Sequence, residues 1–512
     1  MKWAKASIRL AGAAIAVSLL LIMGAAGPAS MAAAQKRPNI LLIVVDDMGM
    51  ADLGSFGGEI DTPNLDRLAF DGIRLTNFHT SPVCSATRAM LLTGVDAHKA
   101  GLGNMAEDMA PNQRGMPGYE GYLNDRVVTV ASLLRAAGYR TYMTGKWHLG
   151  YDLETSPWAR GFDRSFALLS GGASHYADMR PAYAPDPDAK ARYRRDRDML
   201  DALPENFEYS SQFYVDQMID YIEAGRAASQ PFFAYLAFTA PHWPLQAPAL
   251  AMAKYRGAYD AGYDVLHRQR LMRQKALGIV PESAAAGARP PKGVPWESLS
   301  GARKRVAARA MEIYAAMVDQ IDVHVGRLID RLDADGLLDD TVIIFMSDNG
   351  AEGHDLDETW PRDLFPDIRK AIDARHDFSF ENMGAPGSYV LYGPDWASAA
   401  APALRLYKGF PTEGGTRVAA FVRYKGFLSG EISGRYFSVK DIAPTLLDLA
   451  RVSHPGRWHG RRVEAPTGVT MVPALTDKAV LHAQTNRVEG GEIMGKAMIR
   501  KGPWKIVRMP PP

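Results

Sequence analysis

The chain has 512 residues, 59 basic and 57 acidic, with a formal net charge of +2 and a single cysteine. That length suffices for a large α/β domain with a smaller one behind it. Charge of both signs spread along the chain excludes a nucleic-acid or membrane-surface binder built on a basic patch, and one cysteine excludes an internal disulfide.

Residues 1–34 combine basic Lys2, Lys5 and Arg9, an apolar run from Leu10 to Met23, and Ala32-Ala33-Ala34 before Gln35. This is the anatomy of a cleavable secretory signal peptide, and the run is short of the roughly 20 residues a membrane span needs. The expected location is therefore periplasmic or secreted, with no span left after cleavage.

Asn39 to Val45 is a continuous β-branched run, the pattern of a strand buried on both faces, and it ends on Asp46-Asp47. The same design recurs: Tyr139–Thr144 runs into Gly145-Lys146-Trp147-His148, Phe232–Phe238 into Pro241-His242, and Thr341–Met346 into Ser347-Asp348-Asn349-Gly350. Lys408 and Glu413-Gly414-Gly415 precede a strand from Arg417 to Arg423. Helices are expected between them at 64–71, 130–137, 211–224, 303–335 and 439–449. The alternation predicts an α/β fold, a large mostly parallel sheet sandwiched by helices, with ligands bound outside the carboxyl ends of its strands.

Three stretches, 179–207, 280–295 and 355–377, read as insertions, a kind of loop that often lines a substrate pocket. After Leu449 the texture shortens and ends in a hairpin turning at Gly502-Pro503. The chain thus divides into a signal peptide (1–34), a catalytic domain (35–450) and a C-terminal subdomain (451–512).

Cys84 falls where a helix should begin. Pro82 disfavours helix before it, Ala89–Leu92 is a good helical run, and Gly94 is a natural stop. Alone it reads as a small buried hydrophobe; as a nucleophile it would meet an anion in a favourable helix-start field. Asp46, Asp47, Asp348 and Asn349 all follow apolar strands. Adjacent, they form an all-oxygen anionic cluster suited to a hard divalent cation, calcium ahead of magnesium. Arg88, Lys146, His148, His242 and Lys408, collected beside that metal, would make an anion pocket with histidines to move protons. Trp158, Trp243, Tyr176 and Phe378 are candidates for an apolar pocket.

Asn39–Asp47 with Gly57–Leu68, Cys84-Ser85-Ala86-Thr87-Arg88, Gly145–Gly150, Ser347–Gly350 and Glu413–Arg417 together resemble the type I sulfatases of the alkaline phosphatase superfamily, most closely bacterial arylsulfatases. The resemblance implies that a maturation enzyme oxidises Cys84 to formylglycine, whose hydrate attacks the sulfur of a small-molecule sulfate ester. It implies one Ca²⁺ held by Asp46, Asp47, Asp348 and Asn349 with residue 84, and Arg88 steadying the hydrate. Lys146, His242 and Lys408 would bind the sulfate oxygens, His242 or Lys408 would protonate the departing alcohol, and His148 would take a proton as inorganic sulfate leaves a covalent intermediate. Related readings are a phosphonate monoester or phosphodiester hydrolase with the same site, and a sulfate-ester binder whose cysteine is never converted. Two departures stand out: Ala86 replaces the commonest Pro, and a further Trp-x-Leu-Tyr-Asp-Leu hairpin is missing, so the C-terminal subdomain is expected to be incomplete with an open sheet edge.

Overall fold

Strand β1 (Asn39–Val45) is buried along its whole length, and Ile40 to Val45 have no exposed surface at all. Each such side chain contributes roughly 1.5–3 kcal/mol by leaving water, so β1 belongs at the centre of a sheet covered on both faces. A computed structural model describes residues 36–226 and 230–510, and the signal-peptide reading lies outside them.

β1 sits within a ten-stranded sheet. The other strands are β2 (Ile73–Leu75), β3 (Arg140–Lys146), β4 (Arg164–Leu168), β5 (Tyr193–Arg195), β6 (Asp198–Leu200), β7 (Phe232–Ala237), β8 (Thr341–Ser347), β9 (Ala420–Arg423) and β10 (Glu431–Ser433). Their order is β10-β2-β9-β8-β1-β7-β3-β4-β5-β6. The centre, β8-β1-β7-β3-β4, is parallel throughout. The expectation of a mostly parallel sheet holds there, but β9 and β5-β6 run antiparallel, so the whole is mixed.

Helices α1 (Pro63–Asp71), α4 (Ser210–Gly225) and α5 (Gly301–Ala334) cover one face, packing on Leu41, Ile43 and Val45. Helices α2 (Cys84–Thr93), α3 (Val130–Ala136) and α7 (Ile442–Ala450) cover the other, on Ile40, Leu42 and Val44. The alternation of β1 residues between the two cores follows from the period of two in a strand.

Two expectations need correction. The stretch 179–207 is not only loop: it supplies β5 and β6, which extend the sheet beyond β4. The expected strand 417–423 divides at Ala419, with Arg417–Val418 pairing in a separate three-stranded sheet and β9 in the main one. The 355–377 stretch contains α6 (Pro366–Arg375). At the C-terminus, β11 (Val488–Ile493), β12 (Lys496–Lys501) and β13 (Trp504–Arg508) form a small antiparallel sheet, including the expected hairpin. Among the described residues no helix is long and apolar enough to cross a membrane.

Candidate active site

Register brings the carboxylates together. β1 pairs β8 with Val45 opposite Ser347, so Asp46 and Asp47 emerge beside Asp348 and Asn349. The Asp348 N–H donates to the Val45 carbonyl at 3.0 Å, lacing the two strand ends. On the other side Val44 and Gly145 both stand opposite Ala237 of β7, so Lys146 and the loop to His242 rise from the same edge. Gly145 is required there: its φ is +105°, and a Cβ would lie 1.7 Å from the Ala237 carbonyl oxygen.

Asp47 and His148 also occupy the left-handed region, with φ of 68° and 56°. Non-glycine residues pay for that conformation in strain, and it persists where surrounding contacts dictate it. Here it turns each side chain back over the strand ends.

Cys84 is the first residue of α2, after Val83 in an extended conformation, and its sulfur lies 3.8 Å from Asp47 Oδ1. The helix stops at Gly94, whose φ of 71° and N–H bond to the Met90 carbonyl form a left-handed cap. One turn into the helix, the fully buried Arg88 donates Nε and Nη2 to Asp348 Oδ2 at 3.0 and 2.8 Å and Nη1 to the Lys146 carbonyl at 2.9 Å. Lys146 Nζ donates to both oxygens of Asp46, at 3.0 and 2.7 Å. Lys408 Nζ meets Asp47 Oδ2 at 2.7 Å and Glu352 at 3.3 Å. The Lys408 loop is tied down nearby, the Gly409 N–H donating to the Pro82 carbonyl at 2.8 Å.

The donor set fits a hard cation. Carboxylate atoms of Asp46, Asp47 and Asp348 and the Cys84 sulfur lie within 4.8 Å of one another. Asn349 spends its Nδ2 on Asp47 Oδ1 and the Gly350 carbonyl, at 2.6 and 2.9 Å, and its Oδ1 is buried with no hydrogen-bond partner. An orphaned acceptor among carboxylates, with no protein donor in reach, suits a cation. Burial, then the neighbouring Asp348 and Asp47, push the Asp46 carboxyl up to about 8, the opposing pull of Lys146 notwithstanding. Burial also raises Asp47, whereas at Asp348 burial is outweighed by Arg88 and the two lysines, which hold it below the usual range. Burial pushes the Cys84 thiol well up, so unmodified sulfur there is neutral and a poor nucleophile.

The two histidines are poised differently. His242 Nδ1 lies 2.6 Å from the Trp243 carbonyl, which only accepts, so Nδ1 carries the hydrogen and Nε2, 3.5 Å from Asp47, is bare in the neutral ring. Burial, then Lys408 and Lys146, drive its pKa well down. His148 Nε2 lies 2.8 Å from Glu107 Oε1. Burial would raise the Glu107 carboxyl, but His148 and the Tyr183 hydroxyl bring it down to about 2. An ionised Glu107 accepts only, so Nε2–H donates and His148 Nδ1, buried without a partner, is left as a free base.

The structure brings together every site residue expected from sequence: Asp46, Asp47, Cys84, Arg88, Lys146, His148, His242, Asp348, Asn349 and Lys408. Of these, Cys84, His148, His242 and Lys408 line a cavity of about 630 Å³. Of the four candidate aromatics Trp243 lines it; Trp158 lies under Arg197, Tyr176 packs on Tyr209 and Phe378 on Tyr389 instead. The 355–377 stretch does reach the cavity, through Glu358, Thr359, Trp360 and Phe365, while nothing from 280–295 lines it. Sequence reasoning missed Glu107, Asp108, Tyr183 and Glu352. Glu352 follows Asn349 by three residues and was legible as part of the same strand end, but Glu107 and Asp108 lie in a short aperiodic segment with no signal. Also missed was the brace from the C-terminal sheet: Arg500 and Lys505 donate to Glu413 at 3.2 and 3.0 Å, and Lys496 to the Gly409 carbonyl at 2.7 Å.

Fixed cations facing a cation-hungry carboxylate cluster are what a hydrolase of anionic esters requires, and a doubly covered sheet carrying them at its strand ends is the alkaline phosphatase-like architecture. Comparison narrows that class. The chain belongs to the sulfatase family, whose model, described as Sulfatase, matches residues 38–452. It is 45% identical over 487 residues to an uncharacterized sulfatase of Schizosaccharomyces pombe, covering 93% of this chain and 86% of that one. It is 38% identical over 444 residues to an arylsulfatase of Klebsiella aerogenes, covering 86% and 91%. Among solved structures, Ps i-CgsB in complex with k-i-k-neocarrahexaose matches with a TM-score of 0.63 at 23% identity, over 93% of this chain and 84% of that one. That likeness is one of fold.

Proposed function

We propose that the protein is an exported arylsulfatase-type enzyme that hydrolyses sulfate esters through a formylglycine made from Cys84, with one Ca²⁺ in the carboxylate cluster. The observation that carries this is the orphaned Asn349 Oδ1 beside three carboxylates, with Cys84 at a helix start among them. Asp46, Asp47, Asp348 and Asn349 would hold the cation, and exchanging the sulfur of residue 84 for oxygen makes the donor set all-oxygen, as calcium prefers. Bound there, the cation supplies a fixed positive charge that polarises the S–O bonds. The hydrated aldehyde supplies one hydroxyl to attack sulfur and a second to release sulfate.

The residues do the rest. Lys146 and Lys408 are fixed charges for the sulfate oxygens, worth most as negative charge grows on them. Burial disfavours the charge on Lys408, but Asp47 and Glu352 hold it on, leaving Lys408 with the hydrogen to give to the departing oxygen. His242 contacts the anion as an imidazolium, taking its second proton at Nε2 when the substrate's charge arrives. His148 Nδ1 accepts the proton from the second hydroxyl of residue 84. Arg88 keeps Asp348 and the Lys146 carbonyl in place around that residue. An exported location agrees with the composition of residues 1–34, and the maturation enzyme that converts Cys84 must accept Ala86.

The test is the mass of the tryptic peptide containing residue 84, together with turnover. Conversion lowers that mass by about 18 Da, and converted protein should release sulfate from p-nitrophenyl sulfate faster than it cleaves a phenyl phosphonate ester. An unconverted thiol in the natural host, or a preference for the phosphonate, would overturn the reading.

A further inference from the structure

Beyond the cations that face sulfate, the cavity has two kinds of wall. One is aromatic and continuous. The Trp243 ring lies 4.7 Å from His242, Tyr183 lies 6.1 Å from Trp243 and 5.6 Å from Trp360, and Phe365 lies 5.2 Å beyond. The other wall is acidic, made by Glu107, Asp108, Glu352 and Glu358. Glu107 is matched by His148 and Tyr183, Glu352 by His354 and Lys408, and Glu358 by Lys292. Asp108 is different: among the described residues none forms a hydrogen bond or ion pair with its carboxylate, which Glu107 and Glu352 repel and Lys408 and His354 attract.

Resting on the sulfate-ester reading, we propose that this cavity selects monosulfate esters of aromatic alcohols that bear no second negative charge, and that Asp108 is the residue that rejects anionic alcohols. A cavity of about 630 Å³ has room for an alcohol of drug-like size. The rings along one wall give an aryl group an apolar surface to pack on. An additional carboxylate or sulfate on the alcohol would be carried into a low-dielectric space beside an unpaired carboxylate, where like charges repel strongly. The cations of the cavity are largely committed once sulfate is bound, His354 to Glu352 among them. Lys408 and His242 are engaged by the reacting group, Lys496 is held by the Gly409 carbonyl and the Phe410 ring, and Arg114 stands exposed at the rim. Polysulfated saccharides carry that additional charge.

Burial and then Glu107 push the Asp108 carboxyl up to about 7, so it is ionised at pH 8.5. At that pH, kcat/KM of residue-84-converted protein is measured on 4-methylphenyl, 4-carboxyphenyl and 4-(trimethylammonio)phenyl sulfate. The carboxy ester should be slower than the methyl ester by about tenfold or more, with the cationic ester at or above the methyl one. Intrinsic reactivity works against this order, because the carboxylate substituent makes the better leaving phenol. Asp108→Asn should shrink the methyl-to-carboxy ratio by about threefold or more. That ratio cancels the fraction of converted enzyme, and Asp108→Ser replaces the amide variant if circular dichroism shows the latter unfolded. A carboxy ester turned over as fast as the methyl ester, or a ratio unmoved in the variant, overturns the selectivity alone. No turnover of any of the three by converted protein overturns the sulfate reading and this inference with it.

Discussion

Replacing Glu107 by Gln tests the tautomer argument directly. Glu107 touches no reacting atom; it acts by accepting the Nε2–H of His148 at 2.8 Å, which leaves Nδ1 bare to take a proton. An amide of the same size can present its NH2 to Nε2 instead, which moves the ring hydrogen to Nδ1 and removes the base. A hydrogen bond to a charged group is worth roughly 1.5–3 kcal/mol, and at about 1.4 kcal/mol per decade this becomes an expected loss in kcat of about 10- to 150-fold. KM should fall along with kcat and kcat/KM stay near its wild-type value, because attack on sulfur and the cations that grip sulfate are untouched. The loss should also fall on one step. In stopped flow with p-nitrophenyl sulfate, the variant should release a burst of about one equivalent of phenol and then turn over slowly, since attack on sulfur precedes the need for His148. A kcat within about twofold of wild type at equal conversion of residue 84, or a loss with no burst, would refute the reasoning.

Other outcomes follow from the same geometry. Lys408→Ala should cost about a hundredfold or more in kcat/KM for p-nitrophenyl sulfate, as removal of a preorganised charge does, while leaving the far-ultraviolet circular dichroism unchanged. Chelation should abolish activity and also lower the melting temperature, because it strips the charge that balances three buried carboxylates. The melting shift should be absent in Asp348→Asn if that residue holds the metal. Gly145→Ala, with its Cβ 1.7 Å from a carbonyl oxygen at a φ of +105°, should leave little soluble protein, which expression and gel filtration read out. Acidification should also act through Glu107, whose pKa is depressed from 4.5 to about 2. Its contribution to stability is therefore complete above the unfolded value and drains away as pH falls from 4.5 towards 2. Urea midpoints of the wild type should drop more steeply than those of Glu107→Gln over that window.

Chemistry-bearing residues of this protein stood out in the sequence wherever a buried strand ends. A run such as Asn39–Val45 must lie inside a parallel sheet, and the polar pair that follows must then lie at its carboxyl edge. That logic holds for Asp46-Asp47, Lys146, His242 and Asp348-Asn349, and Pro82 with the helical run up to Gly94 located Cys84 at the start of α2. These are short-range facts, set by hydrophobic period and by backbone sterics, and they are legible one segment at a time. What surrounds the strand ends was decided in three dimensions. Glu107 reaches His148 across 41 residues and Glu413 is held by Lys505 across 92, distances along the chain that carry no periodic trace. The stretch 179–207 joined the sheet because β4 offered an unpaired edge, and a strand's partners matter there more than its own apolar content. The sequence by itself determined a covered sheet with carboxylates, cations and one cysteine at its edge, because burial and turn chemistry are local. Only the tertiary structure decided which nitrogen of each histidine is free, which carboxylate is left unpaired, and how wide and how aromatic the cavity is, because those depend on which distant side chains arrive at the same few ångströms.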